Sequence, residues 1–208
     1  MKWMISIVFL LCHSSTAHGQ PLLITTDGDL SLDEIKYFGD RMHRTLTQLH
    51  VDTEYRNGSQ ITSDSDRALI RKAVTTAPHY LATLDVLEAG CEYFFSTERV
   101  QLSQARLAGF FVESEKESMK IKYEFMMSTY NALSEQAKSR IDVQAAYDAA
   151  ELRRSGIGVP SAEETLQHYY QLDLETLIAR YTDFCNGGLE ESRQRLEDPN
   201  MVFRSRKL

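Results

Sequence analysis

The side chains able to do chemistry in this chain are few and scattered. Of its 6 histidines, those beyond residue 19 are His43, His50, His79 and His168. His43 and His50 lie two helical turns apart, on one face with Asp40 nearby, and Glu164 precedes His168 by one turn. A carboxylate beside an imidazole can hold a metal or move a proton. Neither spacing repeats the Glu-x-x-His or His-x-x-x-His patterns by which helices bind metals. Ordinary surface or half-buried histidines explain the same residues. No glycine-flanked nucleophilic serine, haem-attachment cysteine pair or phosphate-cradling loop occurs, and Gly156 and Gly158 read as loop punctuation. No catalytic residue, cofactor-binding residue, cofactor or metal ligand is therefore assigned.

The cysteines carry more information. Lys2 precedes an apolar stretch over residues 4–12, with Ser6 its one polar member, and a polar stretch then ends in Ala17, His18 and Gly19. This is the three-part pattern of a secretory signal peptide over 1–19, with Gln20 as the mature terminus. The stretch rises only about 14 Å as a helix, against about 30 Å of bilayer hydrocarbon, so no permanent membrane anchor is expected. Cys12 admits a lipoprotein reading, in which it becomes the acylated first residue, but Leu11 stands where such sites carry Gly or Ala. Removing the signal turns 3 cysteines into the pair Cys91 and Cys185. An exported chain lives where disulfides form and persist, in the periplasm or outside the cell, and this pair is expected to bond.

The mature chain keeps all 30 acidic residues and loses only Lys2 from its 23 basic ones, so it is strongly acidic. That balance disfavours nucleic acid and anionic membranes. The exception is a short basic end, Arg204, Arg206 and Lys207, in the tail over 201–208.

The elements that must position these residues are helices. Ser31 with Glu34, and Ser161 with Glu164, form capping boxes, while Ser134 caps a further helix that ends at Gly156. Behind the first box, Leu32, Ile35, Phe38, Met42, Leu46 and Leu49 mark one helical face. Asn57 and Gly58 end that helix. A second begins near Asp64 or Asp66 and turns Leu69, Ile70, Ala73 and Val74 inward; Pro78 opens a third, running to about residue 96. The longest pattern spans 97–133, with breaks conceivable at Gly109 or Ser114, and keeps heptad spacing through Met119, Tyr123, Met126, Tyr130 and Leu133. Ile141, Ala145 and Leu152 face inward on the next helix. Leu166, Tyr170, Leu174, Leu177, Tyr181 and Phe184 then predict one helix from Ser161 to a stop at Asn186, Gly187 and Gly188, followed by a polar helix over 189–197. Cys91 and Cys185 both fall on apolar stripes, which would clamp the third helix to this late one. The fold expected is all-α, a single bundle-like domain of six to seven helices over 20–200 with one disulfide.

Three short segments resemble known families. Residues 26–35 resemble an EF-hand calcium loop entering its exit helix, but Asp27 to Glu34 is shorter than the loop requires and the sharp-turn glycine is missing. Acids at a turn before a capped helix account for the segment. Glu113 and Ser114 resemble the Glu-Ser pair of lytic transglycosylases, which are also exported and helical; the resemblance ends at those two residues and the assignment is not made. Leu133, Ser134, Glu135 and Gln136, with Lys138 and Arg140 following, resemble the Leu-Thr-x-x-Gln segment of periplasmic helical chaperones and metal-stress sensors, with Gln136 one position early. That resemblance implies a concave helical surface holding apolar client segments.

Aromatics cluster at Tyr93, Phe94 and Phe95, at Phe110 and Phe111, at Tyr123 and Phe125, and at Tyr169 and Tyr170. Helical neighbours point about 100° apart, so adjacent rings either meet two layers of protein or lie exposed. Tyr93, Phe95, Phe110 and Tyr169 are the candidate partner-binding aromatics. The function expected is that of an exported helical binding protein, an inhibitor, immunity or accessory factor acting by protein-protein contact without catalysis, on a protein partner that is basic. The alternatives are a chaperone-like or small-ligand-binding protein, or an enzyme joining a carboxylate to His43, His50 or His168 between helices. Asn57, Gly58 and Ser59 form a glycosylation sequon, relevant only to a chain that passes through an endoplasmic reticulum.

Overall fold

The computed structural model describes residues 30–56, 61–75, 78–96, 103–156 and 158–197. The expected export signal, most of the EF-hand-like loop, the sequon and the basic tail lie outside the described residues, as do the side chains of His79, Tyr93 and Phe95. Among the described residues every element is helical: α1 Leu32–Tyr55, α2 Asp64–Thr75, α3 Pro78–Ser96, α4 Gln104–Ala132, α5 Glu135–Ser155, α6 Ala162–Gln171, α7 Leu174–Asp183 and α8 Leu189–Glu197. A π turn, Phe184–Gly188, joins α7 to α8 across a kink at Gly187, so these two form one bent rod. Counted that way, the described residues form an all-α bundle of seven helical bodies, as expected.

The starts of these helices are written locally. Ser31 donates its backbone N–H to Glu34 Oε2 at 2.8 Å and Ser161 does the same to Glu164 at 2.8 Å, closing both capping boxes. Ser134 Oγ accepts from the N–H of Ala137 at 3.3 Å. Gly156 ends α5 at φ +65°, a left-handed conformation that a side chain would strain.

Tertiary hydrogen bonds then fix helix ends to distant helices. Buried Asp66, on the first turn of α2, accepts from the N–H of Ser134 at 3.1 Å and from its hydroxyl at 2.5 Å. Asp33 on α1 accepts from the N–H of Ala162 at 2.6 Å, taking up a free donor at the start of α6. The two acids of the EF-hand-like segment that are described, Asp33 and Glu34, thus serve helix starts.

α4 is the axis. It runs 29 residues, about 44 Å, unbroken through Gly109 and Ser114. Buried Ser114 returns its hydroxyl to the carbonyl of Phe111 at 2.9 Å, a bond a helix absorbs without breaking. Around the C-terminal half of α4 lies the larger core, with Met42, Leu46 and Leu49 of α1, Ile70, Ala73 and Val74 of α2, and Ala137, Ile141 and Ala145 of α5. Around its N-terminal half lies a second core, with Leu87 and Cys91 of α3, Leu107 and Ala108 of α4, and Leu177 and Tyr181 of α7. A small third cluster, Val112, Met119, Ala162 and Leu166, bridges them beneath α1.

The structure corrects one expected element. The helix predicted from Ser161 to Asn186 is two, α6 and α7, parted at Leu172 and Asp173. Asp173 accepts from the N–H of Thr176 at 2.8 Å and so caps α7, while Gln104 on α4 donates to the carbonyls of Tyr170 and Leu172 at 3.3 and 2.6 Å, closing the end of α6. The apolar stripe continued at helical spacing across the break and concealed it; Tyr170, expected inward, is exposed. The expected stop at Asn186 to Gly188 is the π turn.

Cys91 and Cys185 are bonded, their Cα atoms 5.6 Å apart, closing 94 residues of chain. The bond joins α3 to the π turn, as the stripes predicted. Beside it, Arg193 of α8 pairs with Asp85 and Glu88 of α3, a second and solvated tie between the same elements.

Candidate functional site

The candidate histidines do not converge. His50 is buried, its ring edge-on to Tyr55 at 6.3 Å, and burial pushes its pKa below the ordinary imidazole value against the opposing charge of Glu54. His168 stands exposed on α6 beside Tyr169. Among the described histidines, His43 lines a cleft between α1 and α5, and His50 a much smaller pocket with Leu49, Thr53 and Ile61. Among the described residues no three histidine, cysteine or acidic side chains gather closely enough to hold a metal, and no helix is long and apolar enough to cross a membrane. The Glu-Ser pair is split across the surface: Glu113 pairs with Lys116 at 2.8 Å outside, and Ser114 points its hydroxyl to backbone inside.

Two of the four candidate aromatics belong to the second core. Phe110 packs 6.2 Å from Tyr181, and Tyr169 stacks on Phe111 at 5.3 Å with the rings 4° from parallel. Phe111 in turn meets Tyr181 edge-on at 5.1 Å. The Tyr169 hydroxyl donates to Glu115 at 2.9 Å; burial first, then that carboxylate, raises its pKa. These rings meet two layers of protein, the first of the outcomes their adjacency allowed.

Among the described residues, exposed apolar side chains that border a groove or cleft lie on both flanks of α5. Two positions along a helix turn about 200°, so Val143 and Tyr147, two beyond the inward Ile141 and Ala145, point away from the core. They are 51% and 67% exposed and continue through Ala146 and Ala150 as an outward stripe. A groove of about 580 Å³ runs along this stripe to Tyr130 and Asp142. Its polar end is fixed: the Tyr130 hydroxyl donates to both oxygens of Asp142, at 3.1 and 3.2 Å. Burial, reinforced by that carboxylate, pushes the Tyr130 pKa up to about 12. Sequence reasoning missed this stripe because it took one apolar face per helix, although Val143, Ala146, Tyr147 and Ala150 carry the spacing plainly.

On the other flank, α1 and α5 enclose a cleft of about 380 Å³ with Val159 at its edge. Asp40 and Lys122 meet there at 2.7 Å, and Lys36 reaches the same carboxylate at 3.5 Å. Burial alone would raise the Asp40 pKa; the two lysines outweigh it and hold the carboxyl below its ordinary value. Asp148 accepts from Gln144 at 2.8 Å and from Thr45 at 3.3 Å. Arg41 donates to Tyr37 Oη at 3.3 Å and to the carbonyl of Ala145 at 3.1 Å, tying α1 to α5. Both acids beside His43 are thus engaged.

Compared with known protein families, curated proteins and solved structures, the chain matches none.

Proposed function

We propose that this chain is an exported helical binding protein that acts by protein-protein contact, without catalysis, and that the contact face is the outward side of α5. The observation that carries this reading is the double-sided helix: α5 buries Ala137, Ile141 and Ala145 while presenting Val143 and Tyr147 to solvent. A helix needs only one apolar stripe to fold against a bundle, and a second, unpartnered one is free to receive an apolar segment of another protein. Tyr147 supplies the rigid ring that interfaces use as an anchor. The formal charge of −7, more negative still once the signal leaves, would speed encounter with a basic partner.

The test is a photo-crosslinking residue placed at position 147 or 143 in the native host, with position 117 on the exposed side of α4 as control. A discrete heavier band from 147 and 143, weakened by Val143→Asp in the former and absent at 117, is the expected outcome. No band at either position, or equal bands at all three, sinks the reading. Export is tested separately by the mass of the mature protein, expected to begin at Gln20; acyl chains on Cys12 would replace the soluble form with a lipid-anchored one.

A further inference from the structure

The cleft between α1 and α5 inverts the charge of the molecule that carries it. The chain as a whole is at −7, yet the cleft is lined by Arg41, Arg44 and Lys122 against only Asp40 and Asp148. Asp40 is paired with Lys36 and Lys122, whereas Asp148 accepts only from the uncharged Gln144 and Thr45 and keeps its negative charge. The guanidiniums are not neutralised in the same way. Arg41 donates its hydrogen bonds to a phenol and a backbone carbonyl, both uncharged, and its ring contact is with Tyr37 at 5.9 Å. Exposed Arg44 makes no ion pair or hydrogen bond with the described residues. Two guanidinium charges therefore face one cavity against a single carboxylate, Asp148, that no cation pairs, and the balance is positive.

His43, Thr47 and Gln48 line part of the remaining wall, and the rest of it is apolar. Tyr37 and Val159, each 43% exposed, stand at the cleft with Leu152 and Ala149. A volume of about 380 Å³ lies at the small end of the range that ordinarily takes organic ligands. We propose that this cleft binds a small organic carboxylate, its head paired with Arg44 beside Arg41 and its body, a ring or short alkyl chain, laid against Tyr37 and Val159. A guanidinium matches a carboxylate with two parallel donors, and Arg41, already held by Tyr37 and Ala145, is immobilised before the ligand arrives. The site is separate from the outward face of α5, so crosslinking at 147 can fail while this binding stands.

Isothermal titration of the full mature protein with 3-phenylpropionate, octanoate, 3-phenylpropan-1-ol and inorganic phosphate tests it. One or both acids are expected to bind, the neutral alcohol and bare phosphate at least about tenfold more weakly, and Arg44→Gln to weaken the acid by about tenfold or more. Preference for octanoate assigns an alkyl body and preference for the phenyl acid a ring; either supports the proposal. Because Arg44 is exposed and without internal bonds, the variant keeps its folding midpoint, and Arg44→Lys recovers part of the affinity. Four outcomes overturn the proposal: no binding of either acid, alcohol binding as tightly as acid, phosphate binding as tightly as acid, or affinity unmoved by Arg44→Gln.

Discussion

Around the C-terminal half of α4 the protein is held by aliphatic side chains from four helices, and around its N-terminal half by rings and a covalent bond. The first core draws α1, α2, α4 and α5 together through Leu46, Leu49, Ile70 and Ile141, with Asp66 and Ser134 joining helix ends across it. The second stacks Tyr169, Phe111 and Tyr181 and is closed by Cys91 and Cys185. Its late elements are short: α7 has 10 residues and α8 has 9, against 24 in α1 and 21 in α5. Short helices bury little, which is where a crosslink constraining the unfolded chain adds most to stability. The comparison implies that the second core depends on oxidation and the first does not.

Removing the crosslink should have the largest effect. Cys91→Ser with Cys185→Ser frees a loop of 94 residues and is expected to cost about 4 to 5 kcal/mol in the loop-entropy account. Hydrogen exchange read by helix sharpens this: α7 and α8 should lose protection well before α1 and α2. Uniform loss would mean that the two cores open as one. Leu46→Ala, in the first core and fully buried, is expected to cost about 3 kcal/mol by leaving a cavity. Its urea midpoint should fall equally in oxidised and reduced protein, and a loss confined to the reduced form would erase the distinction.

The two cores also differed in how far they could be read from sequence. Met42, Leu46 and Leu49, like Ile141 and Ala145, recur at steps of three and four, and that period alone places them inside. The cysteines were legible for the same reason, each lying on a stripe. Phe110 and Phe111 carried no such signal: adjacent rings fit an exposed patch as well as a second layer, and only the approach of Tyr181 to both decides it. The cap at Asp173 was masked by a stripe that crosses it, and the service Asp33 gives to Ala162 depends on a partner 129 residues away. Of the cleft, His43 and Asp40 were visible as helical neighbours; Arg44, Tyr37 and Val159 became a wall only when α5 came alongside.

Gly90 tests the ring side of the comparison at smaller scale. A Cβ there would lie 1.9 Å from Tyr181 Oη, so Gly90→Ala must push that ring off α3. The expected cost is about 2 kcal/mol by overpacking, seen as a lowered thermal midpoint with near-ultraviolet circular dichroism changed in the tyrosine region. Tyr181→Phe, which removes the clashing oxygen, should restore most of the loss; no rescue would place the strain elsewhere.

Alkaline pH should separate the cores most gently. A tyrosine phenol ordinarily ionises near 10.0, but burial pushes Tyr181 up to about 12, burial with Asp142 does the same for Tyr130, and burial with Glu115 raises Tyr169 also. Below the ordinary value these three phenols are protonated in both states, and this contribution to stability is fully present. Above it the unfolded chain releases protons that the folded chain keeps, so stability falls as pH rises towards about 12. Two of the three rings, Tyr169 and Tyr181, sit in the second core and one, Tyr130, in the first. Urea midpoints between pH 9 and roughly 11.5 should therefore fall less steeply in a Tyr169→Phe, Tyr181→Phe double variant than in Tyr130→Phe, and both less steeply than in the parent. Equal slopes in all three would show that the phenols of the second core meet water as readily as those of an unfolded chain, and the picture of a dry ring stack behind the disulfide would have to go.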